Sequence, residues 1–226
     1  MPGNLPLFGP SVFALDNSLS VSLFLLAGKS VIICYMTMPR DVLDFWFGRA
    51  DDPDYGQYRA IWFQPDEAFI AQARDRFSET YRRAAAGELD NWQQTPEGSL
   101  ALVLLLDQFS NLIHRGEAGA FASDEAAREA TKRAIERGFD GEFPELHRWF
   151  FYLPLEHSEN LDDQRAAVQL FRALPATELN AIGLDCAERH LRVIQRFGRF
   201  PNRNAALGRQ STAEEEEFLA GPDAPF

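Results

Sequence analysis

The chain has 226 residues, 46% apolar and 25% charged, the balance of a folded globular protein rather than a disordered, fibrous or disulfide-stapled one. Its 22 basic and 34 acidic side chains leave a net charge of −12, which argues against a general nucleic-acid binder. The two cysteines, Cys34 and Cys186, suit a reducing, cytoplasmic setting and cannot by themselves build a structural zinc site.

Residues 1–37 differ from the rest of the chain. They carry only two charged side chains, Asp16 and Lys29, so the whole net charge lies beyond them. Val21–Tyr35 is apolar, but Gly28, Lys29 and Ser30 interrupt it, and a spanning helix needs about 20 mostly apolar residues. No basic residue precedes Val21, as a secretory signal would require. The expectation is that 1–37 is an extension outside the fold, arising from a start codon placed too early. A loosely attached segment and a weak membrane anchor are the alternatives. Residues 38–226 then form a single domain for which no membrane association is expected.

From Pro39 onward the apolar period is helical. Pro39 suits a first helical position, and the apolar residues of Arg40–Phe47 follow before Gly48. Gln64-Pro65-Asp66-Glu67 opens a second helix with proline and acids in its first turn, running to Ala86 and stopping at Gly87. Thr95-Pro96-Glu97 begins a third, in which Leu100–Leu106 is apolar all round, the mark of a buried central helix. Ser123-Asp124-Glu125 caps a fourth that ends at Gly138. Phe143–Tyr152 is rich in aromatics and is closed by Pro154, and Asn160 caps a helix through Ala173. Leu179, Ile182, Cys186, Ile194 and Phe197 mark the apolar stripe of a long helix ending at Gly198. Ser211-Thr212-Ala213-Glu214 reads as a capping box for a short last helix. No alternating strand and no Asn-Gly hairpin stands out, so an all-α fold is predicted: an irregular array of antiparallel helix pairs around a buried central helix. No clean 34-residue repeat is visible.

Three polar groups interrupt the apolar pattern. Asp107-Gln108 follows the apolar run directly, and a buried carboxylate must find a partner, with Arg115 or an arginine elsewhere the expected one. Glu156-His157-Ser158-Glu159 could hold a metal or act as an acid/base pair, though adjacent residues do not share a helix face, and side chains capping the helix from Asn160 are the simpler reading. His190 sits in the apolar stripe, where a satisfied core residue is the commoner role. It heads Arg189–Arg209, a segment with six arginines and no acid. These arginines either meet carbonyls at a helix end or present forks to a phosphate or carboxylate. No Walker loop, no G-x-S-x-G and no G-x-G-x-x-G is present, and nothing marks Cys186 as a nucleophile.

Several segments together resemble a bacterial family known only as domain-of-unknown-function family number 924. They are Val42–Gly48, Asp107-Gln108-Phe109, Phe150–Glu159, Arg196–Pro201 with Arg203-Asn204, and Gly208-Arg209-x-Ser211-Thr212. The resemblance spans about Pro39 to Leu219 and implies a tetratricopeptide-like all-α fold without implying a reaction. It also marks two departures: Asn111-Leu112 stands where the family pattern has Arg-Asn, and Asn202 where it has histidine.

Two functions fit these residues. In one, Asp107, Gln108, Glu156, His157, Glu159, His190, Arg196, Arg199, Arg203 and Asn204 converge in a pocket for a small anionic ligand. His157 or His190 would move a proton, with Asp107 and Glu156 as acidic partners. In the other, the helices form a non-catalytic face for a partner peptide. Neither reading calls for a cofactor, a metal or a nucleic acid.

Overall fold

The computed structural model describes residues 21–24 and 32–221. The chain divides into two compact units, Met1–Met38 and Pro39–Phe226. In the first, β1 (Val21–Phe24) and β2 (Ile32–Tyr35) pair antiparallel, with Val21 opposite Tyr35 and Phe24 opposite Ile32. The apolar stretch there thus contains two short paired strands, where no strand is expected from the sequence.

The described part of the second unit contains helices and no strand. These are α1 (Pro39–Phe47), α2 (Glu67–Ala85), α3 (Pro96–Leu104), α4 (Ser110–Ile113), α5 (Asp124–Glu136), α6 (Glu145–Glu156), α7 (Leu161–Arg172), α8 (Glu178–Phe197) and α9 (Ala213–Leu219). Local chemistry sets most of the ends. Asp66, Thr95, Asn160 and Thr177 each accept a backbone N–H of the helical turn they precede. Gly198 closes α8 at φ 68°, a left-handed conformation that costs glycine little. Thr212 and Glu215 form a reciprocal capping box on α9, one residue later than the pattern beginning at Ser211 suggested. Pro65 precedes the Asp66 cap and so lies just outside α2.

α3 is the buried centre. Every residue from Leu100 to Asp107 is at most 2% exposed. It packs against α1, α5 and α6, and α5 to α8 follow as successive neighbours. Gly98 in its first turn leaves no room for a side chain, since a Cβ there would meet the Trp92 carbonyl oxygen at 2.1 Å. Around α3 the core is aromatic: Trp46 contacts Phe109 at 5.4 Å and Phe150 at 5.6 Å between ring centroids.

Two departures from the sequence reading have tertiary causes. Pro154 does not end the aromatic segment, because α6 runs on to Glu156. Proline forfeits one N–H bond there, but Trp149 to Glu156 are all buried, and that packing holds the helix through the loss. On α8 the stripe is rotated: Ile182 is 57% exposed and Cys186 half-buried, while Asn180, Gly183, Ala187, His190 and Ile194 face inward. Gly183 sets this phase, since a Cβ there would lie 3.0 Å from the Phe171 ring and 3.2 Å from Trp149.

A small separate cluster of Val193, Ile194 and Phe200, backed by Leu161, Phe197 and Phe218, carries the segment after α8. No helix among the described residues is long and apolar enough to cross a membrane.

Candidate functional site

α3 does not stop at Leu104. The backbone stays right-handed through a π-helical turn, Leu105–Phe109, into α4. Such a turn carries one extra residue and disturbs the normal pairing of carbonyls. Side chains take those carbonyls up: Ser123 Oγ donates to the Leu106 oxygen at 2.6 Å, and Ser110 Oγ and Asn111 Nδ2 donate to the Asp107 oxygen at 2.9 and 3.0 Å. Ser123 is therefore spent on the π turn rather than on a side-chain cap of α5.

Asp107 stands in this turn at 1% exposure. Its partner is a histidine and not the arginine expected from the sequence: His157 Nδ1 lies 2.8 Å from Asp107 Oδ1, and Gln108 Nε2 donates to Oδ2 at 2.6 Å. Burial alone pushes the His157 imidazole down. The charge of Asp107, its hydrogen bond and Glu156 nearby outweigh that and hold the ring above the ordinary histidine range, against a small opposing push from Arg203. Because Nδ1 faces a carboxylate it carries a proton, and Nε2 makes no hydrogen bond to the described residues.

Glu156 and His157 are adjacent at the end of α6 and take different partners. Glu156 is buried and places Oε1 2.9 Å from His190 Nδ1, which also lies 2.9 Å from the Cys186 carbonyl oxygen. The His157 and His190 rings are 6.2 Å apart. The turn that carries both acid and base is tied down by α7. Buried Gln164 donates to the carbonyls of Glu156 and Ser158, and Asp163 accepts from Ser158 Oγ at 2.8 Å. The only signal of Gln164 in the sequence is an amide in line with the apolar face formed by Ala167, Val168 and Phe171.

Both histidines line a cleft of about 370 Å3. Gln108, Asn111, Arg115, Asn202 and Arg203 complete its polar lining, and Trp46, Trp62, Phe63, Pro65 and Leu112 are among its apolar residues. Arg203 is held three ways: it donates to Asp124 at 2.9 Å and to the His157 carbonyl at 2.8 Å, and its guanidinium lies between Phe121 and Phe200 at 4.6 and 4.8 Å. Burial raises the Asp124 carboxyl, and Arg203 offsets only part of that rise. Arg115 is exposed on the lip and makes no hydrogen bond or ion pair among the described residues.

The remaining candidates lie away from the cleft. Arg196 pairs with Glu214 at 2.8 Å, and Arg199 grips Glu215 at 2.6 and 2.8 Å. Arg209 makes a two-pronged bond to Glu159 at 2.7 and 2.9 Å, and Glu159 also accepts the Phe200 N–H. Asn204 is buried between Ser211, Glu215 and Arg209. These residues fasten the segment after α8, whose Phe200, Asn202 and Arg203 wall the cleft. Among the described residues no group of three or more histidine, cysteine or acidic side chains is arranged to hold a metal ion.

The match to known proteins covers most of this unit. Residues 42–223 fit the family described as bacterial protein of unknown function, DUF924. A solved structure of a protein of unknown function from Agrobacterium tumefaciens is 41% identical, with a TM-score of 0.70 over 80% of this chain and 96% of that one. No curated protein matches. Asn111, Leu112 and Asn202 all border the cleft. With the family pattern matched from Val42 in α1 to beyond the end of α9, the chain belongs to the DUF924 family of bacterial proteins of unknown function.

Proposed function

We propose that the cleft binds a small oxyanion and that His157 is the group that meets it with a proton. The observation that carries this reading is the 2.8 Å contact of His157 Nδ1 with buried Asp107 in a cleft that also holds an unpaired arginine, Arg115. Asp107 keeps the ring oriented and favours the imidazolium, so Nε2 is offered to the cleft as an N–H donor. Arg115 supplies a fork suited to phosphate or carboxylate. Arg203 is largely neutralised by Asp124 and serves as wall and spacer.

Convergence favours this reading over a peptide-binding face. Residues from the π turn, the end of α6, α8 and the segment after it meet in one cleft, whereas an interaction face would spread them over an open surface. The charged groups around His157 are Asp107, Glu156, Asp124 and Arg203. With His157 raised, affinity for an anion is full below neutral pH and falls as pH rises through the elevated value.

The test is thermal unfolding in phosphate against chloride at matched ionic strength. A ligand at 100 times its dissociation constant adds about 2.7 kcal/mol of apparent stability. Phosphate should raise the melting temperature of the native chain, and Arg115→Gln should abolish the gain. Arg199→Ala should keep the gain, because Arg199 serves Glu215 outside the cleft. Equal phosphate responses in the native chain and Arg115→Gln would contradict the proposal, since salting-out alone acts on both.

A further inference from the structure

We infer that the cleft takes an oxyanion carrying a flat apolar body: an aryl phosphate or an aromatic carboxylate rather than a bare inorganic ion. This rests on the anion-binding reading and adds the shape of the ligand. The cleft's volume of about 370 Å3 lies within the roughly 300–1,000 Å3 range of pockets for organic ligands, far larger than one tetrahedral ion needs. Its lining combines polar groups, among them His157, Arg115, Gln108 and Asn111, with apolar ones, among them Trp62, Phe63 and Pro65.

Phe63 is the informative residue. It is 46% exposed, although it lies beside the aromatic core, with its ring stacked toward Phe150 at 6.4 Å and toward Tyr58 at 6.2 Å. An exposed phenylalanine next to a buried aromatic layer leaves apolar area in water that a ligand can cover. Beneath it Trp62 and Trp46 are nearly sealed, and Trp46 keeps its indole N–H buried with no hydrogen-bond partner. A ring laid on Phe63 would extend the aromatic layer while its charged group reached Arg115 and His157. An inorganic ion would use the polar groups alone and leave the Phe63 face wet.

Trp46 and Trp62 border the cleft, so their emission reports occupancy in the intact chain. Titration would compare phosphate, phenyl phosphate, acetate, phenylacetate and neutral benzyl alcohol. One aryl oxyanion should bind about tenfold or more tighter than its counterpart without the ring, as burying a phenyl group warrants. Benzyl alcohol should bind far more weakly, and whichever of the two pairs shows the gain identifies the headgroup. Phe63→Ser, at an exposed position, should collapse the ratio between aryl and ring-free anion, with circular dichroism confirming the fold. Equal affinity with and without the ring, or an aryl preference that survives in Phe63→Ser, would overturn the inference. If phosphate binds with no aryl gain, this inference alone fails. If no oxyanion binds, it falls together with the anion-binding reading.

Discussion

The helix at the centre and the segment after α8 are built on opposite principles. From Gly98 to Leu106 nothing is charged, and stability comes from close-packed Leu, Val and aromatic side chains at or near zero exposure. From Arg199 to Leu219 few apolar side chains are buried, Phe200 joining Val193 and Ile194 of α8, and ionic contacts do most of the holding: Arg199 to Glu215, Arg209 to Glu159, Arg203 to Asp124. The cleft lies where the two meet. The rigid half fixes Asp107 and the aromatic lining, and the ion-paired half supplies Phe200, Asn202 and Arg203. A site assembled this way has one wall held by apolar packing and one held by partly buried ion pairs, whose loss on removing one partner leaves a charge unpaired.

The largest expected effect lies in the firm half. Leu104→Ala removes a side chain at 0% exposure from the centre of the core and should cost about 2–5 kcal/mol in denaturant unfolding. A loss below about 0.5 kcal/mol would mean that α3 is not the structural centre.

The next effect separates the two halves by pH. His147 is buried against Phe47 at 3.8 Å with neither ring nitrogen hydrogen-bonded, and burial pushes its pKa down to about 4. The unfolded chain binds that proton more readily, with a pKa near 6.5, so stability is full above about 6.5 and falls as pH drops toward 4. The loss at its full extent is on the order of 3 kcal/mol. His147→Phe should flatten this acid slope in melts taken across that range. An unchanged slope would show that the ring is satisfied in the folded state.

The smallest effect belongs to the ion-paired half. The bond from Arg199, with backbone N–H of Thr212 and others behind it, draws the Glu215 carboxyl down to about 2. Its contribution is therefore present above about 4.5 and is lost as pH falls between there and about 2. Glu215→Gln should speed amide exchange in α9 while leaving α3 amides at their native rate. Equal acceleration in both would mean that the two halves unfold as one.

Much of the fold was legible because helix ends are written in local chemistry. Asp66, Thr95, Asn160 and Gly198 sit where a cap or stop is needed, and each acts within a few residues of its own position. The all-round apolar run Leu100–Leu106 gave the centre equally directly. What stayed hidden is set by distant packing. Gly183 against Phe171 turns α8 so that Ile182 faces out, and no local pattern reveals that contact. The site candidates were chosen for standing in apolar company, which found Asp107, His157 and His190 but could not pair them. Asp107 and His157 are fifty residues apart, and the π turn that brings Asp107 round has no sequence signature. The arginine strip leaves two readings open for a related reason. No acid lies within Arg189–Arg209, and Glu214, Glu215, Glu159 and Asp124 reach it from outside that segment, which decides for the structural role of Arg196, Arg199 and Arg209.

On the proposed reading Asp107 holds His157 as a proton-bearing group facing the cleft. Titration of the histidine ring signals by NMR tests it directly. The His157 signal should titrate above the ordinary histidine range, move higher still when phosphate is added, and fall back toward that range in Asp107→Asn. A His157 titration that is ordinary in the native chain, or one that Asp107→Asn and phosphate leave unmoved, would contradict the account.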